Sequence, residues 1–311
     1  MQIIRLTYPH TFNKTEIPET IAAAGFFDGL HKGHQAVIQE AIKLARDEGK
    51  ESAVISFYPH PKEVLNRPEK PMQYITPNAE KEQLLKDMGV DKLYLITFDR
   101  DLANLSPQGF VDHFIIGLNI VHLVAGFDFS FGHKGAGNMN NINSFSKGKF
   151  TTTSIEPVKL DGEKVSSTEI RHSLSTGNVE KVKKLLGRAY ETEGIVIEGE
   201  KRGRQIGFPT ANLKIDDEKL IPKQGVYAVR VKYNKKLFKG MANLGVKPTF
   251  HENEVTPSIE IHIFDFNDDL YSKNITVLWD HFIREEKKFA GVDELIKQLK
   301  QDEYTVQEYF Q

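Results

Sequence analysis

The stretch Gly25–His34 reads G-F-F-D-G-L-H-K-G-H, and the fold of the first half is organised around it. An apolar run, Ile21–Ala24, precedes it, and an amphipathic segment, Gln35–Arg46, follows it. This order predicts a buried strand that turns into a helix, with His31 and His34 in the first helical turn. Free backbone N–H groups and the helix dipole favour an anion there. Because residues three apart share a helix face, the two imidazoles predict a phosphate-binding platform.

A simpler interpretation of the same stretch is that the two histidines are surface or capping residues, which is common for an isolated His-x-x-His. Gly33 lies between them, and a residue without a Cβ lets a ligand approach the backbone closely. The strand–turn–helix context also favours a functional role. A zinc-binding helix would space its histidines four apart and add a glutamate, and the stretch has neither feature.

Composition limits the classes of function. A chain of 311 residues predicts about two domains. The net charge of −2 argues against an extended nucleic-acid footprint, which needs a basic face. The absence of cysteine excludes disulfides and thiolate metal sites and fits a reducing compartment. With no signal-peptide pattern and no membrane-length apolar run, we expect a cytoplasmic protein without nucleic-acid or membrane partners.

Apolar runs and helical patterns alternate through the first half, which predicts a parallel sheet with right-handed crossovers. Ligands bind such sheets at the carboxyl ends of the strands. The predicted strands are Ile21–Phe26, Ser52–Phe57, Lys92–Thr97 and Val121–Ala125, and the predicted helices are Gln35–Glu48, Asn78–Met88 and Gln108–Leu118.

Two later segments of the first half carry ligand-binding residue types. Gly126–Gly137, G-F-D-F-S-F-G-H-K-G-A-G, follows the fourth strand, and its phenylalanines either line a flat ring pocket or pack in the core. Val165–Arg171 reads V-S-S-T-E-I-R, and hydroxyls with an arginine at a helix start suit phosphate. An ordinary capped helix explains the second segment equally well.

The helical periodicity stops at Gly194, and short strand-like runs bounded by turn residues follow. Many short antiparallel strands within about a hundred residues predict a small closed barrel. The predicted strands are Gly194–Glu198, Val226–Tyr233, Leu237–Leu244, Ser258–Phe264 and Ile275–Phe282, and Val292–Phe310 is predicted as a closing helix.

The loop Gly199–Asn212 reads G-E-K-R-G-R-Q-I-G-F-P-T-A-N and combines basic residues with glycines, a composition that suits polyphosphate. A basic loop is also compatible with plain solvated surface. Thr210 and Asn212 offer the hard oxygen ligands that Mg²⁺ prefers. Glu260, in the apolar run S-I-E-I-H-I-F, is either an outward-facing strand residue or a partly buried general base. The charged segment Phe282–Phe289 is either a surface loop or a flap.

These motifs resemble a known family. H-x-G-H after a first strand, with S-S-T-x-I-R late in an alternating domain, resembles the HIGH-type nucleotidyltransferases. The longer form, G-x-F-D-G-x-H-x-G-H with P-H-P and D-F-x-F-G, is similar to the adenylyltransferase half of bacterial bifunctional riboflavin kinase/FAD synthetases. R-G-R-x-x-G-F-P-T-A-N, N-x-G-x-x-P-T-F, E-x-H-x-F-D-F and F-I-R-x-E-x-K-F resemble the riboflavin kinase domain, in sequence order.

The resemblance covers nearly the whole chain and implies an α/β + β architecture. Residues 1–186 would form a Rossmann-like HIGH-type FMN adenylyltransferase domain with a parallel sheet. Residues 187–311 would form a small antiparallel riboflavin kinase barrel with a closing helix. The implied reactions are ATP-dependent phosphorylation of riboflavin to FMN, with Mg²⁺, and adenylylation of FMN by a second ATP to FAD with release of pyrophosphate. Riboflavin, FMN and ATP are the expected partners of a monomer or weak homo-oligomer.

The resemblance also assigns roles to individual residues. The implied catalytic residues are His31, His34, Arg171 and Glu260. The implied ATP- or phosphate-binding residues are Gly25, Phe27, Asp28, Gly33, Ser167, Thr168, Lys201, Arg202, Gly203 and Arg204. The implied flavin-binding residues are Asp128, Phe129, Phe131 and Arg284, and the implied magnesium ligands are Thr210 and Asn212.

Three departures concern the adenylyltransferase half: Phe26 stands where the family often has asparagine, Phe127 stands where an acidic residue is usual, and His133 or Lys134 replaces an arginine of the following loop. They leave open an alternative in which only the kinase is active and the first domain is a degenerate flavin or nucleotide sensor. A non-catalytic flavin-binding regulator is a third hypothesis. The histidine pair argues against the sensor, and Thr210, Asn212 and Glu260 argue against the regulator.

Overall fold

The computed structural model describes residues 1–66, 71–199, 202–248 and 255–311. The chain forms two compact units, Met1–Ser167 and Thr168–Gln311, and each is described by itself. The predicted division of function between residues 186 and 187 remains a prediction, because compactness alone does not locate a functional boundary. None of the helices in the described part of the chain is long and apolar enough to cross a membrane.

The first unit alternates strands and helices, as predicted. Its strands are β1 (Gln2–Leu6), β2 (Thr20–Ala24), β3 (Glu51–Tyr58), β4 (Lys92–Thr97), β5 (Ile120–Gly126), β6 (Ser130–Phe131), β7 (Gly137–Asn138), β8 (Thr151–Ile155), β9 (Lys159–Leu160) and β10 (Glu163–Lys164). Its helices are α1 (Lys32–Asp47), α2 (Pro61–Asn66), α3 (Asn78–Asp87), α4 (Arg100–Ala103), α5 (Pro107–Phe110) and α6 (Ile142–Phe145), with 3₁₀ turns at Lys14–Glu16 and His133–Gly135 and a π-helix over Val111–Ile116.

A parallel sheet forms the centre of this unit, in the order β1-β4-β3-β2-β5-β8. The central strand β2 is buried along its whole length. Its side chains alternate between two apolar layers, with Ala22 and Ala24 on one face and Ile21 and Ala23 on the other. Burial on both faces explains why the strand reads as a continuous apolar run.

The order of the strands creates a crevice next to β2. From β2 the chain adds β3 and β4 on one side, and it then crosses back to place β5 on the other side. The carboxyl ends of β2 and β5 therefore lie at a topological switch point, where open α/β sheets bind ligands. Gly25–His34 follows β2, and the loop that contains Asp128 follows β5.

The second unit is a closed antiparallel barrel with helices around it. Its strands are β11 (Tyr190–Ile197), β12 (Ala211–Ile215), β13 (Gly225–Tyr233), β14 (Lys236–Pro248), β15 (Val255–Ile263) and β16 (Asn274–Arg284), in the order β11-β12-β15-β14-β13-β16. Its helices are α7 (Ser167–Thr176), whose first residue belongs to the first unit, α8 (Val179–Leu186), α9 (Arg202–Gln205) and α10 (Val292–Tyr309).

The long helix α10 packs against the barrel and confirms the predicted closing helix. Val306 from this helix is fully buried with Ala228, Met241 and Phe208. The α/β + β fold predicted from the sequence is therefore confirmed. The prediction omitted the edge strands β1 and β8 and the barrel strand β12. The first two are short and lack a clear apolar alternation, and the third begins inside a motif interpreted as a loop.

Candidate active sites

The histidine pair begins helix α1, although not as the sequence predicts. The helix starts at Lys32, so His31 is its N-cap and only His34 lies in the first turn. The prediction that both lie in that turn is wrong because the imidazole of His31 acts as the cap, its Nδ1 accepting a hydrogen bond from the backbone N–H of His34 (3.2 Å). The two rings stack with centroids 3.6 Å apart and planes 18° apart. The cap therefore also fixes the imidazole pair.

The loop before the helix has a strained backbone. Phe27 has a φ of +56°, Gly29 of +90° and Leu30 of +43°, and this conformation costs a non-glycine residue roughly 1–2 kcal/mol. The Phe27 ring lies over Gly25, where a Cβ would stand 2.8 Å from the ring, and it meets the His34 ring edge-on at 5.3 Å. Gly25 therefore makes room for an aromatic ring that supports the histidines.

Gly33 makes room for part of the chain itself. A Cβ on Gly33 would stand 3.1 Å from the imidazole of His31, so the space beside this glycine holds the ring. The sequence predicts a close approach by a ligand at this position. In the structure, the His31 ring is the group that lies close to Gly33.

Two charged residues are buried beneath this loop. Asp28 is 4% exposed, and its Oδ1 accepts a hydrogen bond from the backbone N–H of Thr76 (3.1 Å). Lys81 on α3 is 2% exposed, and its Nζ donates to the carbonyl oxygen of Phe26 (3.0 Å) and to Oγ of Ser56 (3.3 Å). None of the sequence motifs includes Lys81. The available signal was its position four residues before the buried Leu85, which places it on the inner face of the helix.

Burial sets the charge states of this cluster. Desolvation, His31 and Lys81, in that order, hold the pKa of His34 well below its usual range, so His34 is neutral at pH 7. Its buried Nδ1 has no hydrogen-bond partner among the residues that the structure describes. Burial lowers the pKa of Lys81 to about 8 against the opposing effect of Asp28, so Lys81 is mostly protonated at pH 7. A neutral imidazole and a buried cation therefore lie within one site.

The serine motif reaches the histidine loop from far along the chain. Oγ of Ser167 donates to the carbonyl oxygen of Asp28 (2.9 Å), which joins two predicted motifs 139 residues apart. Thr168 and Arg171 continue along α7 in the second unit, where Thr168 is exposed and Arg171 is half-buried.

The three predicted flavin residues that follow β5 differ in their exposure to solvent. Asp128 is exposed and forms an ion pair with Lys164 (2.8 Å), whose Nζ also lies 4.5 Å from the ring centre of Phe127. Phe129 is half-buried and stacks on Phe131 at 5.8 Å. Phe131 is 5% exposed and belongs to the hydrophobic core. Of the two interpretations that the sequence left open for these phenylalanines, core packing is the correct one for Phe131.

Phe26, another of the departures, lies in an aromatic group. Its ring meets His60 edge-on at 4.2 Å and lies 6.2 Å from the Tyr74 ring. The hydroxyl of Tyr74 accepts from the backbone N–H of His60 (3.0 Å) and donates to a carboxylate oxygen of Glu63 (3.1 Å). Phe26 therefore contributes ring packing where an asparagine would offer a hydrogen bond.

A cavity of about 250 Å³ opens in the barrel unit and brings five predicted residues together: Arg202, Gly203, Thr210, Glu260 and Arg284. Asn243, Glu286 and Phe289, which belong to motifs quoted above, also line the cavity, and Asp302 is a lining residue that the sequence did not single out. Glu260 is half-buried and lines the cavity, so its side chain faces the candidate site.

Polar residues of three neighbouring strands lie at one level of the barrel. Glu260 on β15 pairs in register with Asn212 on β12 and with Asn243 on β14. Asn212 is buried, and Thr210 lies two residues before it, half-buried at the cavity. The arrangement places a carboxylate, an amide and a hydroxyl close together along the strand order.

Glycines fix the basic loop. The carbonyl of Gly203 accepts from the backbone N–H of Phe208 (2.8 Å), and a Cβ on Gly203 would stand 2.2 Å from the carbonyl oxygen of Phe208. A Cβ on Gly199 would stand 2.1 Å from the amide of Asn212. Arg204 is exposed, and Lys201 lies outside the described residues.

The guanidinium of Arg284 is held in the cavity wall by α10. Its Nη2 lies 2.6 Å and its Nε 2.9 Å from the carboxylate of Asp302, which is 2% exposed and also accepts from Gln298 (2.8 Å). No sequence signal pointed to Asp302, because one of several acids in an amphipathic helix looks like a surface residue.

Comparisons with known proteins match a family model to each half of the chain. The family model for FAD synthetase matches residues 13–169, and the model for riboflavin kinase matches residues 186–310. A bifunctional riboflavin kinase/FMN adenylyltransferase from Bacillus subtilis is 42% identical over 311 residues, covering 100% of this chain and 98% of the relative. One from Listeria monocytogenes is 41% identical over 310 residues with the same coverage.

A solved structure described as a macrolide-efflux protein from Streptococcus pneumoniae is also similar to this chain. It is 35% identical, covers 99% of both chains and has a TM-score of 0.88. The two family models and the full-length relatives together decide the identity. This chain belongs to the family of bifunctional riboflavin kinase/FMN adenylyltransferases, which make FMN from riboflavin and FAD from FMN.

Proposed function

We propose that FMN is adenylylated at the carboxyl ends of β2 and β5, and that riboflavin is phosphorylated in the barrel cavity. The observation that carries the proposal is the stacked pair of His31 and His34 at the start of a 16-residue helix, at the switch point of the sheet. A second set of polar residues, around Glu260, lines a cavity in the other unit. The two reactions thus have one candidate site each.

In the adenylyl transfer, a phosphate oxygen of FMN attacks the α-phosphorus of ATP, and the bond to pyrophosphate breaks. Negative charge builds on the phosphate oxygens, and imidazole N–H groups together with the backbone N–H groups of α1 are suited to stabilise it. We assign this role to His31 and His34, with a phosphate contact from Ser167. Thr168 and Arg171 remain proposed phosphate-binding residues. The tight loop at Gly25, Phe27, Asp28 and Gly33 holds the histidines in place.

In the phosphoryl transfer, the carboxylate of Glu260 accepts the proton of the ribityl 5′-hydroxyl while that oxygen attacks the γ-phosphorus of ATP, and the bond to ADP, the leaving group, breaks. The basic loop with Lys201, Arg202, Gly203 and Arg204 is assigned to the phosphates. Arg284, fixed by Asp302, is assigned to the flavin side of the cavity. The half-buried position of Glu260 in the cavity supports its role as the base.

The residues of the barrel suit Mg²⁺. The hydroxyl of Thr210 and the amide oxygen of Asn212 are hard oxygen donors, and Mg²⁺ typically takes a few protein oxygens together with substrate phosphates. Among the described residues, no group of three or more His, Cys, Asp or Glu side chains is arranged for a metal, which is consistent with a site shared with ATP. When bound, the ion neutralises phosphate charge.

Asp128 and Phe129 remain the proposed flavin contacts of the first unit, and Phe131 supports Phe129 from the core. We propose the cytoplasm as the compartment, because both reactions consume ATP and the chain contains no cysteine that an oxidising compartment would pair. Riboflavin, FMN and ATP are the proposed small-molecule partners.

The deciding experiment is incubation of the purified chain with riboflavin, ATP and Mg²⁺, followed by chromatographic separation of the flavins. Formation of FMN and then FAD is the expected result. FMN without FAD would support the alternative in which the first unit is only a sensor. Unchanged riboflavin would overturn the kinase assignment, and a failure to form FAD from added FMN would overturn the adenylyltransferase assignment.

A further inference from the structure

A buried lysine lies behind the histidine site and has no assigned role. Nζ of Lys81 donates to the carbonyl oxygen of Phe26 (3.0 Å) and to Oγ of Ser56 (3.3 Å), and it lies 4.8 Å from the centre of the Phe26 ring. Oγ of Ser56 donates to the same carbonyl (3.0 Å). Two donors therefore fix the direction of one peptide group, the one between Phe26 and Phe27.

That peptide group precedes one of the two non-glycine residues of the loop with a positive φ. Phe27 follows it with a φ of +56°, and a bulky side chain adopts this conformation only where its surroundings enforce it. The resulting ring position, over Gly25 and edge-on to His34 at 5.3 Å, supports the imidazole stack. A continuous series of contacts thus leads from Lys81 through Phe27 to His34.

Burying a lysine at this position costs desolvation free energy. Its ammonium loses water on burial, and an apolar side chain of similar length would fill the same space without that cost. The side chain is 2% exposed and still directs its charge at the loop. A residue needed only to fill the core would not require the charge.

We propose that Lys81 is a positioning residue of the adenylyl-transfer site: its ammonium fixes the Phe26 carbonyl and so holds the Phe27 ring against His34. This inference rests on the proposed assignment of FAD formation to the histidine pair. Lys81 also acts on the charge of the site, since burial lowers the pKa of His34 most, followed by His31 at the N-cap and then Lys81 from α3. Asp28, in the loop, and Glu82, beside it on α3, act on Lys81.

The test compares Lys81→Met and Lys81→Arg with Lys86→Met, an exposed lysine in the last turn of the same helix. The rate of FAD formation from FMN and ATP is measured as a function of pH. Riboflavin phosphorylation is measured in the same preparations and reports on the second unit. We expect Lys81→Met to lower kcat for FAD formation about 10- to 100-fold, the scale of a misplaced catalytic group. Riboflavin phosphorylation should stay within about twofold.

The pH profile distinguishes positioning from simple loss of folded protein. Removing the Lys81 charge takes away one of the effects that lower the pKa of His34, so the acid limb of the FAD-forming rate should move to higher pH. A smaller folded fraction lowers the rate without moving the limb. Lys81→Arg keeps the charge, so the acid limb of its pH profile should lie at the wild-type pH. Its kcat should remain reduced, because the guanidinium cannot reproduce the ammonium geometry. Lys86→Met should match the wild type in every measurement.

The outcomes separate this inference from the functional assignment beneath it. If Lys81→Met keeps kcat within about threefold, or lowers it without moving the acid limb, the positioning role is wrong. A parallel His31→Ala variant tests the assignment itself. If His31→Ala still forms FAD at the wild-type rate, the histidine site is not the adenylyl-transfer site. If His31→Ala loses FAD formation and Lys81→Met does not, only the inference about Lys81 fails.

Discussion

The histidine site and the barrel cavity hold their charged groups in different ways. At the histidine site, Lys81 and Asp28 are buried and bonded to backbone or hydroxyl groups. At the cavity, the carboxylate of Asp302 holds the guanidinium of Arg284, 18 residues away. The first site therefore depends on the shape of one loop, and the second on pairs of side chains from separate elements. A substitution should accordingly disturb the two sites by different physical routes.

The largest effect is expected at the cavity. Glu260→Gln removes the carboxylate that accepts the hydroxyl proton and should slow riboflavin phosphorylation about 10³-fold, within the range for a lost general base. FAD formation from added FMN should be unchanged, because the other site does not use this residue. Glu193→Gln, on the exposed face of β11, is the matched control. Wild-type FMN formation by Glu260→Gln would show that the base is another residue.

The next effect tests the ion pair of the cavity wall. Asp302→Ala leaves the largely buried Arg284 without its carboxylate, which should lower the free energy of unfolding of the second unit by about 3–5 kcal/mol. Trp279, the single tryptophan of the chain, is fully buried in this barrel, so its fluorescence follows the unfolding of this unit in urea. Asp302→Asn keeps an acceptor and should cost less. Equal stability of wild type and Asp302→Ala would mean that the pair contributes nothing.

At the histidine site, His31→Ala should slow FAD formation about 10²-fold, the scale of one lost transition-state donor, and spare FMN formation. His31→Asn sharpens the test, because asparagine is a good N-cap and replaces the helix cap without the imidazole. We expect His31→Asn to recover the thermal stability lost in His31→Ala, measured by circular dichroism, and to remain slow in FAD formation. A fully active His31→Asn would reduce the role of His31 to capping.

The smallest effect concerns the buried lysine and stability. The folded-state pKa of Lys81, about 8, lies below its unfolded value of about 10.5. Below pH 8 both states carry the proton, and the folded state bears the full cost of burying the charge. As the pH rises from 8 to 10.5 the folded state loses the proton first, so the stability of the wild type should rise relative to Lys81→Met, by about 2–3 kcal/mol in total.

Urea unfolding of both proteins at several values in that pH range, followed by circular dichroism, measures this difference. Contributions from other titrating groups cancel between the two proteins. If the difference in free energy of unfolding between the two proteins does not change with pH, the ammonium of Lys81 is well solvated in the folded state. The two sites would then differ less in how they hold their charged groups.

Most helices and strands that depend on residues close together in the chain could be predicted from the sequence. The strand Lys92–Thr97 has the predicted bounds, and the N-terminal helix that carries His34 lies where the periodicity placed it. These features depend on neighbours within a few residues, where apolar spacing and turn chemistry are decisive. Strand β8, T-T-T-S-I, was not predicted, because it is rich in hydroxyl side chains and is only partly buried at the sheet edge.

The part of the sites that the sequence missed depends on distant residues. Lys81 reaches the Phe26 carbonyl across 55 residues, and Ser167 reaches the Asp28 carbonyl across 139. Asp302 becomes a cavity residue only because α10 folds back onto the barrel. A spacing rule contains no information about such pairs. His31 is a different case, since its role as the N-cap turns on whether the helix starts one residue earlier or later.

The cap on α1 has a chemical consequence for His31. A ring nitrogen that accepts a backbone N–H cannot itself carry a proton, so Nδ1 is unprotonated and the neutral ring must bear its hydrogen on Nε2. The start of the helix thus selects one tautomer before any nucleotide arrives. The cap thereby also fixes the direction in which Nε2 of His31 points as a hydrogen-bond donor.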